Sequence, residues 1–248
     1  MSDEFPYLSI NDFYTFPDPK TLEDDEGIVG VGGNLSPGML FSAYYQGIFP
    51  WYDEEPILWW SLNPRLILLP ENLVVTKSMR KLFKKRAFHV TLDKTFSDVI
   101  KGCSNIVRSH EDGTWITDEI IKAYTKLHEE GFAHSVEVWN GEGKLCGGLY
   151  GVSIGGYFAG ESMFALESNS SKYGFITLAL FLEEKGFKFI DCQQETQHLM
   201  SLGAKSVKRD NFYKLLNESL NFSTYKGNWG EIFTEFQDFD PLKRILGV

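Results

Sequence analysis

Two carboxylates fall inside runs that otherwise read as apolar strands. In Phe187-Lys-Phe-Ile-Asp191-Cys192-Gln193-Gln194 the two-residue period of a strand turns Asp191 and Gln193 to one face and Cys192 to the other. A carboxylate at the end of an apolar strand needs a partner or a use. Either the strand stops there and Asp191 is solvated or caps the next turn, or Asp191 and Gln193 act as a pair on something bound beside them. Gly160-Glu161-Ser162-Met163-Phe164 poses the same choice. Its period puts Glu161 and Met163 on one face, Ser162 and Phe164 on the other. One acid among Phe158, Met163 and Phe164 suits a pocket for an oily ligand carrying an amine, or it is an edge acid over ordinary core packing.

A third group is cationic. Lys77-Ser-Met-Arg80-Lys81-Leu-Phe-Lys84-Lys85-Arg86 holds six cations and no acid. On a helix, Lys77, Arg80, Lys81, Lys84 and Lys85 share a face, with Met79, Leu82 and Phe83 opposite and free to dock on a core. A solvated helix face accounts for such a run. A polyanion would in addition relieve its self-repulsion, about a few tenths of a kcal/mol per i,i+4 pair. The chain carries 24 Lys+Arg against 34 Asp+Glu, a net charge of −10, so it is no general nucleic-acid coat and a local basic patch stands out. Phosphate backbone is the preferred ligand. An anionic membrane suits the run less, because the apolar face is short and needed by the core.

The missing motifs matter as much. There is no Gly-x-x-x-x-Gly-Lys-Ser/Thr, position 35 is Leu where Gly-x-Gly-x-x-Gly would need Gly, and His128-Glu129-Glu130 lacks the second His of a zinc-protease helix. The five histidines show no ligand spacing and read as surface or satisfied core residues. Cys103, Cys146 and Cys192 are odd in number and far apart, which points to reduced thiols and neither disulfides nor zinc. No metal and no cofactor is expected, and any substrate should arrive already activated. Hydrophobic residues at 43% and charged residues at 23% exclude a disordered or collagen-like chain. The start, Met1-Ser2-Asp3-Glu4, is acidic where a secretory signal is basic, and no apolar run approaches a membrane span. A cytoplasmic protein is expected.

The elements that must position these groups follow from punctuation and period. Residues 1–62 read as a small α/β layer: an acidic, proline-bearing lead, the glycine-rich turn 27–33, and a helix opened by Ser36-Pro37 and closed at Gly47. Residues 63–225 read as a larger domain. It has a strand at 66–69, a helix at 76–86, a strand through Phe88, Val90 and Leu92, and a helix capped by Thr117 that ends before Gly131. Strands at 135–139 and 144–152 flank the turn Asn140-Gly-Glu-Gly143, and a third strand runs over 157–165. Helix 172–184, strand 187–193 and helix 212–220 follow. A meander followed by helix, strand and helix is an α+β pattern. Residues 226–248 read as a tail, docked or loose.

Several segments then occur together in one order: Gly32-Gly33-Asn-Leu-Ser-Pro, Gly47-Ile-Phe-Pro-Trp51, Trp59-Trp60-Ser-Leu-Asn-Pro-Arg65, Gly160-Glu-Ser-Met-Phe164, Ile190-Asp-Cys-Gln193, and His198 with Ser201-Leu-Gly-Ala204. In these the sequence resembles the bacterial leucyl/phenylalanyl-tRNA–protein transferases, over roughly residues 5–222. The resemblance implies a C-terminal GCN5-like (GNAT) acyltransferase domain with a small N-terminal α/β domain. It implies an aminoacyltransferase that moves Leu or Phe, and also Met, from aminoacyl-tRNA to the N-terminal Arg or Lys of acceptor proteins, in the N-end rule pathway of degradation. Asp191 and Gln193 match the catalytic pair. Glu161, Met163, Phe158, Leu149, Trp51, Trp115, Leu178 and Leu182 fall at the donor site, and Lys77, Arg80, Lys81, Lys84, Lys85 and Arg86 fall where the tRNA acceptor arm is met. Leu149 stands where Met is common, and Trp60-Ser-Leu-Asn-Pro replaces Trp-Ser-Pro-Asp-Pro. A monomer is expected, with no membrane partner.

The chemistry of the residues agrees with that resemblance. An aminoacyl ester needs no ATP or metal for aminolysis, and an N-terminal amine of pKa about 7.7–8.0 is on the order of one-tenth neutral near pH 7. Gln193 has no proton affinity in this range. It is expected to accept a hydrogen bond from the amine while Asp191 fixes its amide, so that position supplies most of the acceleration. A rival of the same fold, an acyl-CoA N-acetyltransferase, would need a Gln/Arg-x-x-Gly-x-Gly/Ala turn, which 166–174 lacks. A non-catalytic reader of basic N-termini would leave the basic run and the pocket idle.

Overall fold

The computed structural model describes residues 5–23, 26–52, 54–105 and 116–247. β1 (Ile28–Val31), α1 (Pro37–Tyr45), β2 (Phe49–Pro50) and β3 (Leu58–Trp60) come first, and the strands form an antiparallel sheet in the order β1-β3-β2. α1 starts at Pro37, but the Ser36 hydroxyl makes no cap bond. It accepts the Leu8 N–H at 3.1 Å and so ties the leading segment to the helix.

β4 (Arg65–Leu68), α2 (Lys77–Lys84), β5 (His89–Leu92), α3 (Phe96–Ser104), α4 (Asp118–Glu129), β6 (Ala133–Trp139), β7 (Leu145–Ile154) and β8 (Tyr157–Ala165) follow. Then come α5 (Ser170–Glu184), β9 (Phe189–Gln193), α6 (Gln197–Met200), β10 (Lys205–Val207) and α7 (Arg209–Ser219). Their strands build a seven-stranded sheet, β10-β4-β9-β8-β7-β6-β5, antiparallel except between β8 and β9. α5 is the crossover that a parallel step requires. The expected meander β6-β7-β8 is its centre. Its first turn is set by Asn140, whose Oδ1 accepts the N–H groups of Glu142 and Lys144, with Gly143 at φ +73°. The architecture is α+β.

Each face of the large sheet has its own apolar core. Tyr44, Val99, Tyr124, Leu127, Tyr157, Ala159 and Phe212 pack on the face covered by α1, α3, α4 and α7. Leu149, Phe158, Leu178, Phe181, Leu182 and Ile190 pack on the α5 face.

The last segment belongs to that second core. α8 (Trp229–Ile232) and α9 (Pro241–Leu246) bring Trp229, Phe233, Phe236 and Ile245 into it. The Trp229 ring is fully buried and stacks on His134 with centroids 3.9 Å apart, and its backbone N–H donates to Asp93 Oδ2 at 2.7 Å. Phe181 receives Phe233 and Phe236 edge-on. The 226–247 stretch is therefore docked. Among the described residues, no helix is long and apolar enough to cross a membrane.

Candidate active site

β8 and β9 run side by side only as far as the pair Ala159↔Asp191. Beyond it both strands continue, to Ala165 and Gln193, without pairing to each other. Between them opens a cavity of about 620 Å³. Trp51, Leu149, Phe158, Glu161, Met163, Asp191 and Gln193 all line it, so most of the residues read from sequence meet at one place. Leu178 and Leu182 do not line it: both are fully buried in the α5 core, and α5 offers the cavity Ser171 and Phe175 instead. That helix is buried on nearly every side, so an apolar period cannot tell which of its residues face a hollow. Trp115 lies outside the described residues.

A bulge aims Glu161. Tyr150 pairs with Ser162 and Gly151 with Gly160, which leaves Glu161 as an extra residue opposite nothing on β7. The bulge also reverses the alternation beyond it. Glu161 therefore points to the Tyr44 and Tyr124 side, whereas Met163 packs with the core containing Leu149 and Phe158. The expectation that Glu161 and Met163 share a face is corrected by that one inserted residue.

Glu161 Oε2 accepts from the Tyr124 hydroxyl at 3.1 Å, and the Tyr124 and Tyr44 hydroxyls bond each other. Its Oε1 accepts from Gln193 Nε2 at 2.7 Å. Burial pushes the Glu161 carboxyl up to about 7, against the opposing pull of hydrogen bonds from Tyr44, Gln193 and Tyr124. Among the described residues no hydrogen bond engages Gln193 Oε1, so Glu161 turns the amide with that oxygen left for a ligand.

A second bulge sits on β9. Gln193 pairs with Leu66 and Asp191 with Ile67, so Cys192 is the extra residue, and Gln193 takes φ +58°, a left-handed conformation uncommon outside glycine. The Gln193 N–H is held there by Asp191 Oδ1 at 2.9 Å. Asp191 is itself locked. Arg65 donates from Nε to Oδ1 at 2.9 Å and from Nη2 to Oδ2 at 2.6 Å, with both side chains buried. The rings of Phe49 and Phe212 flank the guanidinium at 4.6 and 4.7 Å. Asp191 thus fixes the backbone of Gln193, while Glu161 fixes its amide, which corrects the expected division of labour. Arg65, Tyr44 and Tyr124 were not singled out from sequence as site residues, because only the strand pairing and the bulge bring them there.

His198, at the start of α6, also lines the cavity. Its Nε2 is shielded from solvent and, among the described residues, meets no hydrogen-bond partner. Burial and Lys172 lower its pKa, which keeps the ring neutral near pH 7. Reading all five histidines as surface or satisfied core residues did not foresee its place in the cavity lining.

The basic run forms α2 and its C-terminal turn. Met79 and Phe83 are buried, and Lys77, Arg80, Lys81, Lys84, Lys85 and Arg86 are exposed, as the helical period predicts. The run does find an acid: Arg86 Nη2 meets Asp240 Oδ2 at 3.0 Å, and Arg80 Nη1 donates to the Ile245 carbonyl at 2.8 Å. Among the described residues, no ion pair engages Lys77, Lys81, Lys84 or Lys85.

The leucyl/phenylalanyl-tRNA protein transferase family model matches residues 67–217, and the model of that family's N-terminal domain matches residues 33–63. A leucyl/phenylalanyl-tRNA–protein transferase of Maridesulfovibrio salexigens is 52% identical over 223 residues, 90% of this chain and 92% of that one. One from Desulfatibacillum aliphaticivorans is 50% identical over 225 residues, 90% and 96% of the two chains. Among solved structures, L-PGS from Bacillus licheniformis is similar at 11% identity and TM-score 0.40, covering 77% of this chain and 58% of that one. A GCN5-related N-acetyltransferase from Kribbella flavida is similar at 10% identity and TM-score 0.35, covering 69% and 61%. Likenesses that slight carry no argument, and the architecture rests on the strand order. At half-identity along nearly its whole length, the chain belongs to the leucyl/phenylalanyl-tRNA–protein transferase family and is an aminoacyltransferase.

Proposed function

We propose that this enzyme takes leucine or phenylalanine, and methionine as well, from its tRNA ester and joins it to the N-terminal Arg or Lys of acceptor proteins, marking them for degradation by the N-end rule in the cytoplasm. We further propose that it works as a monomer and that α2 with Arg86 meets the tRNA acceptor arm. The observation that carries this reading is the two-sided cavity. One wall, with Leu149, Phe158, Met163 and Phe175, is apolar, and the other presents Glu161 and the Gln193 amide.

An unbranched or γ-branched apolar side chain fits the first wall, and Trp51 at the rim gives a flat surface for the terminal base of the tRNA. The ester is already activated, so the protein's task is to place the acceptor amine against the carbonyl carbon. Gln193 Oε1 accepts a hydrogen bond from that amine, and the bulged backbone fixed through Asp191 and Arg65 prevents the amide from drifting. Holding the two reactants in register supplies the main acceleration. A shape-selective wall discriminates by about 1–3 kcal/mol per methylene, which penalises the β-branched side chains of Ile and Val.

The test is transfer of radiolabelled amino acid to peptides that differ only at the first residue. Leucine, phenylalanine and methionine should pass to Arg- and Lys-starting peptides and not to Glu-starting ones, with isoleucine and valine poor donors. Equal use of Ile-tRNA and Leu-tRNA, or transfer indifferent to the first residue, would refute the reading.

A further inference from the structure

Residues 160–165 line the cavity in unbroken succession. Side chains of a strand alternate between its faces, so an unbroken run means that the cavity meets the edge of β8 itself. β7 holds the other edge of this stretch, and β9 parts from it after Ala159↔Asp191. The ladder with β7 tells which main-chain groups are left over. The Leu166 N–H donates to the Cys146 carbonyl at 2.8 Å, so the two-residue alternation also turns Phe164 and Ser162 to β7 and turns Met163 and Ala165 to the gap. Among the described residues, no hydrogen bond engages the main-chain groups of Met163 or Ala165 on that side. Free strand edges are ordinarily blunted by Lys or Pro. Neither stands between Ser162 and Ala165.

We infer that the leading residues of the acceptor protein add to this free edge as a short strand parallel to β8, an inference that rests on the function proposed above. Of the two substrates only the acceptor is a peptide. The donor brings a single amino acid on a ribose ester and has no successive peptide groups to offer Met163 and Ala165. The direction follows from the two ends of the gap. Gln193 Oε1, left for the attacking amine, lies at the closed end, and Ala165 is exposed at the open end. A chain whose amine sits at Gln193 therefore leaves in the same sense as β8 runs.

The pairing rule of parallel strands then sets the register. One residue of the added strand donates its N–H to a carbonyl of β8, and its own carbonyl accepts the N–H two residues further on. Gln193 and Glu161 stand level, each two residues beyond Asp191 and Ala159. With the amine there, the first acceptor carbonyl takes the Met163 N–H. Residue 3 donates to the Met163 carbonyl and accepts from the Ala165 N–H. Residues 2 and 4 turn their N–H groups away from β8. Strand addition is main-chain recognition, so it holds acceptors whose sequences differ after the first residue.

The test is leucine transfer from saturating Leu-tRNA to five-residue peptides that begin with Arg and continue with Ala, unmodified or N-methylated at residue 2, 3 or 4. Methylation at residue 3 should lower kcat/KM by about tenfold or more, the cost of a main-chain bond left unmade. Methylation at residue 2 or 4 should change it by less than about threefold. Ala165→Pro deletes the N–H that faces the gap and no bond of the β7 ladder, so the variant should fold. Its KM for the unmodified peptide should rise by about tenfold, and that for Leu-tRNA should stay within about threefold. The inference is overturned by a residue-3 peptide used as well as the unmodified one, by equal losses at residues 2, 3 and 4, or by a folded Ala165→Pro with unchanged peptide KM. An unmodified peptide that receives no leucine overturns the proposed function, and the inference with it.

Discussion

Asp191 is held by both arms of Arg65 and reaches Gln193 through that residue's backbone N–H. Removing one member of a buried ion pair strands the other and costs about 3–5 kcal/mol. Arg65→Met should therefore lower stability by about that amount in urea unfolding and cut transfer sharply. The double variant Arg65→Met/Asp191→Leu should regain much of the stability and none of the activity, because Gln193 loses the acceptor that holds its left-handed N–H. Glu161 makes a second prediction, with a sign. Its folded pKa of about 7 lies above the ordinary 4.5, so its contribution to stability is fullest below pH 4.5 and is lost as pH rises through about 7. Glu161→Gln escapes that loss, and its melting temperature relative to the wild type should be higher at about pH 8 than at about pH 5.5, although its transfer activity drops. Asp191, Glu161 and Gln193 were legible in the sequence as polar groups misplaced in apolar runs. Arg65 was not, since 126 residues separate it from Asp191 and no local pattern records the pairing of β4 with β9.

At the scale of elements, most of the larger strands and helices were read from period and punctuation, whereas α3, whose Thr95 makes no side-chain cap bond, and the irregularities of the sheet were not. The meander, α2, α4 and α5 follow from alternation, caps and the Asn140 turn. The bulges at Glu161 and Cys192 each add a residue that strict alternation cannot foresee, and each sits where the sheet splits. β10 is too short, and too exposed at Lys205 and Ser206, to show a strand pattern. α2 bears its own test. Replacing Lys81, Lys84 and Lys85 with Gln leaves Met79 and Phe83 in the core, so the fold should persist. Affinity for tRNA should fall, and the slope of log affinity against log salt should flatten by about 2–3, the loss of three phosphate contacts. A slope unchanged by the triple variant would remove α2 from the tRNA surface.

For the whole molecule, the decisive fact is that the two faces of one sheet are closed by segments far apart in sequence. The leading segment, α1 and α7 close one face, and the 226–247 stretch closes the other. That second closure was left open by the sequence, because mixed Phe, Asp and Glu show neither period. Trp229 fills it, stacked on His134 and surrounded by Phe158, Phe187 and Phe233. Trp229→Ala should cost about 3–5 kcal/mol in urea unfolding, as for other large buried aromatics, and should loosen α9 from α2. A variant of wild-type stability would show that the segment only lies on the surface.

The reversal of alternation at Glu161 has a practical sequel. Because Leu149 and Met163 sit across the sheet from Glu161 and its tyrosines, the wall proposed to choose the cargo can be carved without disturbing the wall proposed to hand it over. A chemist wishing to append a bulky synthetic building block to a protein should enlarge the hollow at Leu149 or Met163 and leave the hydroxyl chain behind Glu161 untouched.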